Sequence, residues 1–223
     1  MHIRRRYDFR SIEIGRWVTD TERDRAAVRF HDALITLMNT PHVPEEVISL
    51  QSSLGLQSGS GGHLGVCAHY IPATRQLALA NNAGAGSLAH EWFHAFDHYI
   101  AGKVFVQPSR QAFASSLWLN SQAYKSHPLT ARLFRCFEAI LLSKDGTQPS
   151  ELFRALEKVD KEQQGRHRAW PWEVCASAAD ALREDSAPWN SSSVSGTRCF
   201  PEARLGQSRG REDRDTQRGS SGH

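Results

Sequence analysis

Ser87-Leu88-Ala89-His90-Glu91-Trp92-Phe93-His94-Ala95-Phe96-Asp97-His98-Tyr99-Ile100 runs fourteen residues without a Gly or Pro. Its apolar residues recur at helical spacing, so a helix is expected from Leu88 to about Ala101. Within it, His90 and His94 are one turn apart. Their Cβ atoms leave the same face roughly 6 Å apart, close enough for both rings to reach one ion at about 2.0–2.1 Å each. Glu91 is rotated by about 100° from His90, so its carboxylate can serve the open side of such an ion without ligating it. Two imidazoles and an adjacent carboxylate in this His-Glu-x-x-His pattern are the parts needed for water activation: the ion acidifies the water and Glu91 takes its proton. One Zn2+ ion is the expected cofactor. Trp92, Phe96 and Tyr99 form another stripe and read as packing residues.

A catalytic zinc needs a third protein ligand and leaves its fourth position for water. His98 is a poor choice, because it lies about 12 Å along the helix axis from His90. His98 and Asp97 are instead expected beside the ligands or at the surface, with Asp97 a candidate for orienting a ligand histidine. The stronger candidates are acids on later helices. Glu173 follows Trp170-Pro171-Trp172 and precedes the small residues Ala176, Ser177, Ala178 and Ala179, which suit a closely packed helix. Glu138 lies in the otherwise apolar run Cys136-Phe137-Glu138-Ala139-Ile140. Glu173 is favoured, with Glu138 as its rival. His63, His69 and Tyr70 are candidates for groups on the substrate side, and His69 or Tyr70 for stabilising an oxyanion.

Around this centre the chain reads as α+β. Strands are expected at 11–18 and 47–50, and a hairpin from 65–71 and 76–80 across Pro72-Ala73-Thr74-Arg75. Residues 55–65, rich in Gly and Ser, read as a loop. Helices are expected at 21–39, 129–142, 150–163 and 171–183, with Asn82 or Ser87 capping the central helix and Gly102 ending it. The sheet is expected to be small and mainly antiparallel, packed on the metal-binding helix. The folded domain should span residues 8–185. Residues 186–223 hold too few apolar side chains to offset their ordering entropy and are expected to be disordered.

The net charge of +3 is too small to imply a nucleic-acid or membrane-surface partner, and the acids interleaved with the arginines of the tail argue against nucleic acid. No apolar run is long enough to span a bilayer, and the basic start lacks the apolar segment of a secretory signal, so a cytoplasmic location is expected. Cys67, Cys136, Cys175 and Cys199 form no close pair and read as buried, reduced thiols.

The helix segment Gly86–Tyr99 resembles the zincin metallopeptidase-like domains of polyvalent proteins from mobile genetic elements. Across roughly residues 8–206 the chain resembles the bacterial CLCA_X family. The likeness runs through Phe9-Arg10-Ser11-Ile12-Glu13-Ile14-Gly15-Arg16-Trp17-Val18, Val47-Ile48-Ser49-Leu50, Cys67-Ala68-His69-Tyr70, Phe137-Glu138-Ala139-Ile140 and Trp172-Glu173-Val174-Cys175-Ala176. Beyond these it includes Ser195-Gly196-Thr197-Arg198 and Glu202-Ala203-Arg204-Leu205-Gly206. The resemblance implies a zincin-like fold and a zinc metallopeptidase acting on a peptide or protein, with His90, His94 and Glu173 as ligands and Glu91 as the base. Related domains carry Glu-x-x-Ala-Arg-Ala-Phe-Glu where this chain has Glu173-Val174-Cys175-Ala176-Ser177-Ala178-Ala179-Asp180. The loss of Arg and Phe, at Ser177 and Ala179, opens a second expectation: a catalytically degenerate, zinc-stabilised protein-interaction module of a mobile element.

Overall fold

The computed structural model describes residues 2–15, 44–58, 68–80, 85–162 and 170–186, with scattered residues between 19 and 35. The N-terminal helix α1 (His2–Tyr7) leads into β1 (Ser11–Ile14). The described residues between 20 and 35 are helical, as expected for that stretch. A short helix α2 (Glu45–Ile48) precedes β2 (Gly55–Ser58), β3 (Ala68–Ile71) and β4 (Gln76–Leu79). Five helices follow: α3 (Ala85–Val104), α4 (Ala114–Leu119), α5 (Pro128–Leu141), α6 (Glu151–Glu162) and α7 (Pro171–Ser186).

The four strands form one sheet in the order β1-β2-β4-β3. Only β3 and β4 are antiparallel; β1 with β2 and β2 with β4 run parallel. The sheet is therefore mixed and not mainly antiparallel as the sequence reading expected. The reason lies in the connections. The four residues 72–75 can only reverse the chain into a hairpin. The long segments before β2 and between β2 and β4 allow crossovers, which parallel strands require. Ile12, Leu56, Leu77 and Tyr70 fall in one row across the sheet. Leu56 and Leu77 are buried, with Ile12 and Tyr70 packed beside them.

Two other expectations fail in this region. Residues 47–50 do not form a strand. Pro44 sets the start of α2, Glu45 and Glu46 fill its first turn, and Ile48 is buried. The chain then reverses through Leu50, Gln51 and Ser52, all with positive φ. Residues 55–58, read as the start of a loop, are the strand β2, with partners on both sides. Gly55 lets the Ser11 and Gln76 side chains close over the strand, since a Cβ would lie 2.7 Å from Ser11 Oγ and 3.0 Å from Gln76 Cγ and would force them to shift. The Gly-rich residues 59–62, His63, Cys67, Asn82, Cys199 and the tail beyond 186 lie outside the described residues.

Helix α3 is the spine of the molecule. Leu88, Trp92 and Ala95 enter a core with the sheet, Tyr7, Phe9 and Leu34. Trp92 Nε1 donates to the Ile48 carbonyl at 2.9 Å and so fastens α2 to α3. On another side, Ala101 and Phe105 share a second core with Phe137, Leu141, Val174 and Cys175. The helix is clad on several faces, and the polar groups it buries, His94, Asp97 and His98, lie between the apolar stripes. It runs through Gly102 to Val104, so Gly102 does not terminate it, and Ser87 lies inside it and does not cap it. The three later helices lie within a residue or so of their expected starts. Cys175 is buried as expected, but Cys136 is exposed, because α5 turns Phe137 and Leu141 inward instead. Among the described residues, no helix is long and apolar enough to cross a membrane.

Candidate metal centre

Five residues from α3 and α7, His90, Glu91, His94, Glu173 and Asp180, meet in one cluster. α7 packs along α3 more extensively than any other helix does. The close approach follows from its inner face, where Val174, Cys175 and Ala176 are buried completely. Pro171 opens the helix, and the Trp170 carbonyl accepts from the Glu173 and Val174 N–H groups. Glu173 is thereby held in the first turn of α7, opposite the two histidines.

Its carboxylate touches both rings. Glu173 Oε2 lies 3.3 Å from His90 Nε2 and Oε1 lies 3.4 Å from His94 Nε2. These separations exceed the usual N–H···O distance of about 2.9 Å. They run to the two different oxygens of one carboxylate, so Glu173 spans the gap between the two rings. The rings of His90 and His94 stand nearly perpendicular, at 86°, with centroids 4.7 Å apart. Donor atoms of His90, Glu91 and His94 also lie within 4.8 Å of one another, so this group could hold a metal ion.

Asp180 completes the cluster. Its Oδ2 lies 3.0 Å from His90 Nδ1. With Nδ1 protonated and donating to this carboxylate, Nε2 keeps its lone pair for a cation. The sequence reading gave Asp180 no role, although a signal was present: it lies two turns beyond Glu173, on the same face of α7. Asp97 does not orient a ligand histidine. It is buried and accepts from the Ser115 N–H at 2.9 Å and the Ser115 hydroxyl at 2.5 Å, capping α4. His94 Nδ1 is buried without a hydrogen-bond partner.

The remaining candidates separate clearly. Glu138 is exposed on α5 beside Gly146 and lies outside the cluster. His69 pairs in register with Ala78 on β3 and is not among the clustered donors. Tyr70 lies close by, but its two polar groups are engaged. Its N–H donates to Glu91 Oε2 at 2.7 Å, and its hydroxyl lies 2.6 Å from His98 Nδ1. His98 Nε2 lies 2.8 Å from the Arg110 carbonyl, an acceptor only, so that nitrogen carries the proton and Tyr70 donates to Nδ1. His98 is thus a buried bridge between β3 and the 105–113 segment, not a surface group.

The cluster perturbs its own titration. Burial alone would depress His90, but the Asp180 and Glu173 carboxylates prevail and push it up to about 10. Burial works against ionised Glu173 too, yet its contacts with His90 and His94 hold it down at about 2. Without a metal the site is therefore an ion pair, and a divalent cation would displace the proton on His90. Glu91 is raised, chiefly by burial, against the opposing pull of the two histidines and the Tyr70 N–H. Burial also raises Asp97 to about 6 and lowers His98. Two imidazoles whose Nε2 atoms face one carboxylate, with a second carboxylate behind the first ring, are a donor set suited to zinc.

No protein-family model, curated protein or solved structure matches this chain.

Proposed function

We propose that this chain is a zinc-dependent hydrolase that cleaves amide bonds in peptides or proteins. The observation that carries the reading is the contact of Glu173 with both His90 Nε2 and His94 Nε2, at 3.3 and 3.4 Å, the first of them across 83 residues of sequence. His90, His94 and Glu173 would hold the ion. When bound, zinc supplies Lewis acidity, which polarises a carbonyl and lowers the pKa of nearby water. Glu91 acts as the base. One of its oxygens is fixed by the Tyr70 N–H at 2.7 Å, which leaves the other to take a proton. Its burial raises its proton affinity, which favours taking a proton. Asp180 holds the His90 ring so that Nε2 faces the ion. The His-Glu-x-x-His spacing of residues 90–94 on one helix supports the same assignment.

Metal analysis and peptide cleavage by the purified chain test this. Glu173→Ala should lose zinc. Glu91→Gln should keep zinc and lose about 10²–10⁴-fold in turnover. Zinc binding at full affinity by Glu173→Ala would remove the proposed ligand. Unchanged turnover in Glu91→Gln would remove the proposed base.

A further inference from the structure

A pocket of about 610 Å³ opens between α4 and the start of α7; none of the metal-donor residues lines it, and its wall residue Phe113 is the ring that separates it from His94. Phe113, Trp170 and Trp172 give it three aromatic rings, and Gln111, Asn120 and Gln122 give it neutral amides. None of its described lining residues carries a charge. Phe113 and Trp172 stack with centroids 4.9 Å apart and planes 19° from parallel. The pocket wall continues into the site. The Phe113 ring meets His94 edge-on, centroids 6.3 Å apart, and Trp172 directly precedes Glu173. The volume lies within the range of small-ligand sites, roughly 300–1,000 Å³, and the pocket is broadly open to solvent. Inside the wall, the Ser116 hydroxyl is buried without a hydrogen-bond partner.

Resting on the hydrolase reading above, we infer that this pocket selects the substrate: it receives an aromatic, uncharged side chain of the peptide next to the bond to be cut. Ring faces attract another ring in stacked or edge-on geometry. A charged side chain would have to shed water against apolar walls with no partner to compensate it. The amide oxygens of the wall can accept from a phenol O–H or an indole N–H, so tyrosine and tryptophan fit as well as phenylalanine.

The test uses the full chain carrying Glu91→Gln, loaded with zinc. N-acetylphenylalaninamide, N-acetylalaninamide and N-acetyllysinamide are titrated in, and binding is followed by NMR. Burial of the ring should make the phenylalanine amide bind about ten- to a hundredfold tighter than the alanine amide. Ala112→Trp, which fills the pocket, should erase that difference. Gln111→Glu, at an exposed wall position, should shift preference toward the lysine amide. Equal affinity for all three probes, or no change in either folded variant, overturns the proposal. In parallel, a peptide mixture is digested with the wild-type chain. Cleavage with aromatic residues enriched at one position beside the cut supports the pocket. Cleavage without that enrichment defeats the pocket and leaves the hydrolase. No cleavage at all, with the phenylalanine amide still bound, defeats the hydrolase and leaves the pocket.

Discussion

Replacing Asp180 by Asn isolates the role of the carboxylate behind His90. Asn keeps a carbonyl oxygen for the Nδ1 proton, so the 3.0 Å contact can persist, but the charge is gone. A hydrogen bond to a charged group contributes about 1.5–3 kcal/mol and a neutral one about 0.5–1.5 kcal/mol, a difference on the order of 1–1.5 kcal/mol. That corresponds to roughly a tenfold weaker zinc complex. A counter-effect has to be weighed. Asp180 also raises the proton affinity of His90, and the proton competes with zinc. A dication gains about twice the coulombic attraction that a proton gains at similar range, so the net change remains a loss. Asp180→Ala removes the acceptor altogether and should weaken zinc by about ten- to a hundredfold. Competition with a chromophoric chelator at fixed pH measures both. Wild-type zinc affinity in a folded Asp180→Asn variant would refute the claim that this carboxylate supports the metal.

Other outcomes follow from the same structure. In the metal-free protein, stability should rise as pH increases from about 2 to 4.5, because the unfolded chain holds the Glu173 proton longer than the folded one. It should fall as pH increases from 6.5 to about 10, where folded His90 keeps a proton that the unfolded chain has released. Urea midpoints across pH, with and without zinc, check this: zinc should abolish the alkaline loss. Tyr70→Phe strips His98 Nδ1 of its donor and should cost about 1–2 kcal/mol in urea unfolding, with zinc affinity and turnover little changed. A hundredfold fall in kcat would instead return the phenol to the reaction. Gly102→Ala should stabilise the protein by about 0.5–1 kcal/mol, since a Cβ there meets nothing within 4 Å inside an established helix. A lower melting temperature would contradict that.

The helix that carries His90 and His94 was legible because one turn separates them, and helical spacing alone aims two rings at one point. Glu173 was legible in part, through the small residues that follow it and let α7 approach α3. Asp180 was legible only as a spacing, two turns beyond Glu173, because its meaning depends on which face of α7 the packing selects, and that is a tertiary fact. Strand β2 escaped for a similar reason. Gly55 looks like loop chemistry until Ser11 is seen pressing against it. The parallel pairings were hidden because nothing local distinguishes a crossover from a return. Asp97 was read as serving a histidine, when the groups nearest to it in space are the N–H and hydroxyl of Ser115.

Because the donors sit 83 residues apart, an ion seated among them would act as a cross-link between the middle of the chain and its last described helix. Closing a loop of that length removes conformational freedom from the unfolded chain worth on the order of 4 kcal/mol by analogy with a covalent bridge. Chelation would therefore do more than silence the site. It would release α7 first, uncover the apolar flank of α3 beneath it, and hand a protease its earliest cutting point at the C-terminal end.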